Sequence, residues 1–139
     1  MPAPGFLITA IKGLAHIAPH LGVLKLKNED FSRDPAAVAA LNADPYIKDE
    51  TQPAATVAAL ARADERLHDS FPAITIPLLI LHGTDDHATV CHGSAFFHET
   101  AGSGDKTLKI YQGHYHDLLA DLGREGVMGD ILDWIEARV

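Results

Sequence analysis

Leu7, Ile11, Leu14, Ile17 and Leu21 recur three or four residues apart, which predicts a helix with one apolar stripe. Ala18 can stand in for Ile17 on that stripe. Pro19 should end or kink this helix, and Gly22 follows as a stop signal. Asp34 can accept from free amides at a helix start, and Pro35 suits the first helical turn. Ala36 to Leu41 continue that short helix, and Asp44-Pro45 breaks it. A longer helix is predicted from about Pro53 to His68, with Val57, Leu60, Ala63 and Leu67 on one face. Near residue 72 the period changes. Leu78 to Leu81 form a short apolar run between Pro77 and Gly83, which reads as a strand buried on both faces. A helix over about Val90 to Ala101 turns Phe96 and Phe97 towards its buried side and ends at Gly102 and Gly104. Thr107 to Tyr111 is the next strand. A last helix, from about Arg124 to Arg138, buries Val127, Ile131, Trp134 and Ile135. The order strand, helix, strand, helix predicts an α/β region with a parallel sheet and right-handed crossovers. The chain therefore divides into a helical region, residues 1–71, and an α/β region, residues 72–139.

Parallel strands decide where chemistry gathers, because functional loops collect at their C-terminal ends. Two such loops are predicted. One is His82-Gly83-Thr84-Asp85-Asp86-His87, and the other is Gln112-Gly113-His114-Tyr115-His116-Asp117. Adjacent strands would bring both to one edge, so that a carboxylate meets an imidazole. That pair forms two thirds of a Ser-His-Asp site, in which a carboxylate orients the imidazole that takes a hydroxyl proton. Asp86 and His116 are the candidates. Asp86 also reads as a turn carboxylate capping the next helix, and His116 as a surface histidine in a chain with nine histidines. Asp85 and His114 are their nearest rivals.

Charge narrows the partners. The formal net charge is -8, and no basic stripe is available to neutralise phosphates, which argues against nucleic acid or an anionic membrane surface. The single cysteine, Cys91, cannot form an internal disulfide, so nothing points to an oxidising compartment. The start of the chain lacks a basic stretch ahead of its apolar residues, which argues against a secretory leader. No apolar run reaches the roughly 20 residues of a membrane span. A cytoplasmic protein is the resulting expectation.

Three segments carry a resemblance. Leu79-Ile80-Leu81-His82-Gly83-Thr84-Asp85-Asp86 resembles the apolar strand, glycine and catalytic aspartate of α/β-hydrolases. Asp105 to His116 resembles the monoacylglycerol lipase and lysophospholipase segment that ends at the catalytic histidine. Phe31-Ser32-Arg33-Asp34-Pro35 and Ala43-Asp44-Pro45 resemble the end of that family's cap and the return to its core. The resemblance implies the C-terminal part of an α/β-hydrolase parallel sheet, preceded by a helical cap over residues 1–71. It implies Asp86 as the acid and His116 as the base, a lipid ester as substrate, and no cofactor. Spacing from Gly83 favours Asp86 over Asp85.

The chain also departs from that pattern. No Gly-x-Ser-x-Gly occurs, and Ser32, Ser70, Ser94 and Ser103 fit no strand-to-helix elbow. The nucleophile, the oxyanion hole and half the sheet are therefore expected elsewhere, leaving this chain inactive by itself. An unpaired strand edge should drive it to self-associate or to pair with the missing N-terminal half. Cys91 reads as a small helix-start residue rather than a substitute nucleophile. Two other functions compete: a non-catalytic interaction or oligomerisation module, and a metal-binding domain built from His82, His87, His92, His98, His114 and His116. The metal reading is weak, because His114-x-His116 is the closest approach to a ligand motif.

Overall fold

Asp34 accepts a hydrogen bond from the Ala36 amide at 2.9 Å, and the helix it caps runs as the sequence predicts. The computed structural model describes residues 5–139; Met1 to Pro4, part of the stretch read above for a secretory leader, lie outside them. The helical region contains α1 (Gly5–Ile17), α2 (Pro35–Ala43) and α3 (Ala54–Ser70). Between them, β1 (Gly22–Leu24) and β2 (Gln52–Pro53) form a short antiparallel ribbon. This ribbon is absent from the sequence reading, because two or three residues are too few to show an alternating pattern.

The packed faces of α1 and α3 follow the expected stripes in part: Ile11, Leu14, Ala18, Val57 and Ala63 are half-buried. Ala54 and Ala58 are the buried residues of α3, while Leu60 and Leu67 stay exposed. Ile17 of α1 is 85% exposed and Leu7 is also open. The groove between these helices is lined by Ile8 and Lys12 on one side and Val57 and Ala61 on the other. Val57 and Leu60 of the expected stripe do line this groove, whereas Ala54, whose amide donates to Leu21 O at 2.8 Å, starts the helix at the ribbon.

The α/β region holds β3 (Leu78–Gly83), α4 (Cys91–Thr100), β4 (Lys106–Tyr111) and α5 (Arg124–Glu136). β3 and β4 pair in parallel, from Leu78 opposite Lys106 to Gly83 opposite Tyr111. β3 includes His82 and Gly83, which the sequence reading placed in a loop. Ile80, His82 and Gly83 are buried, whereas Leu78, Leu79 and Leu81 are half-buried. Both faces are therefore covered in part, and among the described residues β3 has a strand partner along one edge only. In α5, Val127 is fully buried, Ile131 and Trp134 are half-buried and Ile135 is exposed, so of the expected stripe Ile135 alone faces out. Trp134 donates to Thr107 Oγ1 of β4 at 3.3 Å, and the Arg138 guanidinium lies 3.7 Å above the indole. Phe71 and Phe97 meet at 4.5 Å and join the end of α3 to α4. No helix among the described residues is long and apolar enough to cross a membrane.

Candidate active site

The parallel register ends with Gly83 beside Tyr111, so the two following loops start together. They are then sewn to each other. The Thr84 amide donates to Tyr111 O at 2.9 Å and the Asp85 amide to His114 O at 3.0 Å. The Gly113 amide donates to Thr84 Oγ1 at 2.8 Å. A side chain on Gly83 would not fit, because a Cβ there would lie 2.2 Å from His114 O. Glycine at this point lets the second loop pass directly over the strand end.

Asp86 and His116 meet at this junction. Asp86 Oδ1 accepts from the amides of Ala88 and Thr89, each at 2.8 Å. Asp86 Oδ2 accepts from Thr89 Oγ1 at 2.7 Å and lies 2.9 Å from His116 Nδ1. The Asp86 side chain is 4% exposed and that of His116 is 36%. An ionised carboxylate only accepts, so the His116 nitrogen facing it carries the proton. That leaves Nε2 as the imidazole's open proton acceptor.

Burial opposes ionisation of Asp86, but it is outweighed by hydrogen bonds from the Thr89 amide and hydroxyl, from His116 and from the Ala88 amide. The pKa falls from the ordinary 3.8 to about 2. A depressed pKa contributes stability that is present above 3.8 and lost as pH falls towards about 2. Asp86 should therefore account for on the order of 2 kcal/mol of acid sensitivity in that window. Unfolding of the wild type and Asp86→Asn, compared across those pH values, would show it as a converging difference. Parallel profiles would refute it.

The rivals are turned elsewhere. Asp85 is exposed and accepts from Thr84 Oγ1 at 3.0 Å. His114 packs against Tyr111 at 5.4 Å, and its Nδ1 has no hydrogen-bond partner. His82, read only as one of many histidines, proves to be a neighbour of the pair. Its Nδ1 lies 2.7 Å from Ser94 Oγ, and its Nε2 lies 3.2 Å from Asp86 Oδ2, out of line for a hydrogen bond. The strand position of His82 carries no sequence signal once His-Gly is read as a turn. Asp121 was also missed. It is fully buried beneath the histidine loop, and a lone loop aspartate shows no periodicity that would announce it.

The four serine hydroxyls are all engaged away from His116. Ser32 donates to Ala120 O, Ser70 to Arg66 O and Ser103 to Asp105 O, while Ser94 bonds to His82. Cys91 opens α4 and is half-buried. Among the described residues, no group of three or more His, Cys, Asp or Glu side chains is arranged to hold a metal ion. An open depression of about 950 Å³ lies beside Asp86. Its lining includes His82, Val90, Cys91 and Ser94, together with Leu24 and Leu26 from β1 and the segment after it.

Comparison with known proteins fits this arrangement. Residues 1–123 match the Hydrolase_4 family, described as serine aminopeptidase, S33. A monoacylglycerol lipase of Mycolicibacterium smegmatis is 33% identical over 129 residues, covering 93% of this chain and 46% of that protein. A caffeoylshikimate esterase of Arabidopsis thaliana is 34% identical over 110 residues, covering 77% of this chain and 33% of the relative. The crystal structure of a Paleococcus ferrophilus monoacylglycerol lipase superposes with a TM-score of 0.87 at 29% identity, covering 99% of this chain and 54% of that one. The chain thus spans half or less of the length of these curated relatives. Its fold is the C-terminal part of an α/β-hydrolase parallel sheet preceded by helices. By family match, relatives and fold, the chain belongs to the serine aminopeptidase (S33) family of α/β-hydrolases, a group of lipase- and esterase-type hydrolases.

Proposed function

We propose that this chain supplies the acid and base of a carboxylic-ester hydrolase acting on lipid esters of the monoacylglycerol or lysophospholipid kind. One observation carries the reading: buried Asp86 Oδ2 lies 2.9 Å from Nδ1 of the exposed His116. Such a pair presents Nε2 to a hydroxyl. In the proposed reaction a serine from the complementary N-terminal segment attacks the ester carbonyl, and His116 Nε2 takes its proton. Asp86 stabilises the resulting imidazolium. The same proton then passes to the departing alcohol, and water repeats the sequence to release the acid. Residues 1–71 act as the cap and residues 72–139 as part of the catalytic core. The lipid preference is supported by the relatives named monoacylglycerol lipase and by the apolar Leu24, Leu26 and Val90 beside Asp86. The caffeoylshikimate esterase shares a carboxylic ester as its named substrate class, so ester cleavage is the broader expectation.

The free edge of β3 is the proposed docking line for the complementary half, with self-association as its substitute when that half is absent. The chain should be mixed with the N-terminal half of the Paleococcus ferrophilus lipase, whose fold it shares. Hydrolysis of a monoacylglycerol and of a p-nitrophenyl ester is expected from the mixture and not from either part alone. A mixture that forms a stable complex without turnover would instead favour a non-catalytic pairing module. Labelling of this chain alone by a fluorophosphonate, mapped to one of its serines, would overturn the proposed division of labour.

A further inference from the structure

His116 stands in the connection between β4 and α5, where neither strand nor helix fixes the backbone. The amides on either side of it are nevertheless pinned. The Tyr115 amide donates to Asp121 Oδ2 at 2.9 Å, and the Asp117 amide donates to Phe31 O at 2.8 Å. Both anchors belong to one assembly. Asp121 is 0% exposed. Its Oδ1 accepts from the amides of Arg33 at 2.7 Å and Leu122 at 2.9 Å, and its Oδ2 also accepts from Arg33 Nε at 2.8 Å. Arg33 Nη2 continues to Leu122 O at 2.6 Å. Ser32 Oγ donates to Ala120 O at 2.8 Å. The Phe31 ring stands edge-on to the His116 imidazole, with centroids 5.2 Å apart. Residues 31–33 thus wrap the histidine loop from outside, and Asp121 receives the strap from within.

A buried carboxylate would be costly without such partners. Burial of Asp121 raises its pKa, yet hydrogen bonds from Tyr115, Arg33 and Leu122 hold it below the ordinary range. His114 Nδ1 also faces it at 3.8 Å. The charge is therefore retained in the interior, where its direct effect is to fix the amide immediately before His116.

The geometry points to Asp121 and Arg33 as positioning residues for His116: the buried Asp121 carboxylate and its half-buried Arg33 partner hold the imidazole against Asp86. This inference rests on His116 being the base, but its test does not require turnover. The ring ¹H–¹⁵N signals of His116 and His82 should be measured in the 139-residue chain, with the rate at which the His116 Nδ1 proton exchanges. Asp121→Asn and Arg33→Gln are expected to accelerate that exchange by at least about tenfold, the loss of a charge-assisted hydrogen bond setting the scale. The His82 ring, held by Ser94, should keep its signals. Arg33→Lys, which keeps the cation but loses the planar fork, should lie between wild type and Arg33→Gln.

If Asp121→Asn fails to fold, the graded Arg33 pair gives the same answer on folded protein, since a purely structural brace would change melting temperature without touching His116. Unchanged His116 exchange in a folded Arg33→Gln or Asp121→Asn chain would overturn the inference. Ester cleavage that survives His116→Ala in the reconstituted hydrolase would sink the functional reading instead. The two failures are therefore separable.

Discussion

Asp86→Asn is expected to lower turnover of the reconstituted hydrolase by about four orders of magnitude, the loss that accompanies a wrong imidazole tautomer. The local hydrogen bonds force this outcome. Asp86 Oδ1 accepts two backbone amides, from Ala88 and Thr89. An asparagine must keep its oxygen there, so its amino group takes the place of Oδ2. That amino group then faces His116 Nδ1, which lies 2.9 Å from Oδ2 in the wild type. Two donors cannot share one bond, so the imidazole shifts its proton to Nε2 and can no longer accept one from a hydroxyl. Steady-state hydrolysis of a monoacylglycerol would read the effect, with circular dichroism as the folding control. His116→Ala should cause a loss of similar size, and the double variant should be little worse, because the two act as a unit. Activity within tenfold of wild type in either single variant would remove the pair from the mechanism.

The second large effect is structural. Gly83→Ala should destabilise the fold by about 3 kcal/mol, at the upper end of the cost of overpacking. The new Cβ would lie 2.2 Å from His114 O, 2.6 Å from His114 C and 2.7 Å from Tyr115 O. All three are backbone atoms, so no rotamer change relieves them; the histidine loop itself must lift. Gly126 and Gly129 of α5 provide the control, because a Cβ at either meets nothing within 4 Å. Alanine at those helical positions should stabilise by up to about 1 kcal/mol. Urea unfolding of the three variants tests the contrast, and equal midpoints for Gly83→Ala and Gly126→Ala would contradict it.

What could be read from the sequence followed from local rules. Asp34-Pro35 announced α2, because capping and a fixed proline φ are decided within a few residues. The Leu78–Leu81 run and the Thr107–Tyr111 strand implied a parallel pair, and strand-end logic placed Asp86 and His116 in facing loops. Both strand assignments held, and the two residues do meet. The remainder depended on distant partners. The most buried positions of α3 are Ala54 and Ala58, which no ranking by side-chain size would select. His82 was hidden by the extra two residues of β3. The Asp121–Arg33 pair joins positions far apart in sequence, and a hydrogen-bond network of that kind leaves no period along the chain.

Trp134 is the only tryptophan in the sequence, and its position between Thr107 and Arg138 makes its fluorescence an internal gauge of one joint. Emission from this chain reports whether α5 is seated on β4, while the helical region contributes no indole signal. Undocking of the last helix and rearrangement of the first seventy residues can accordingly be told apart optically, without attaching a dye to Cys91.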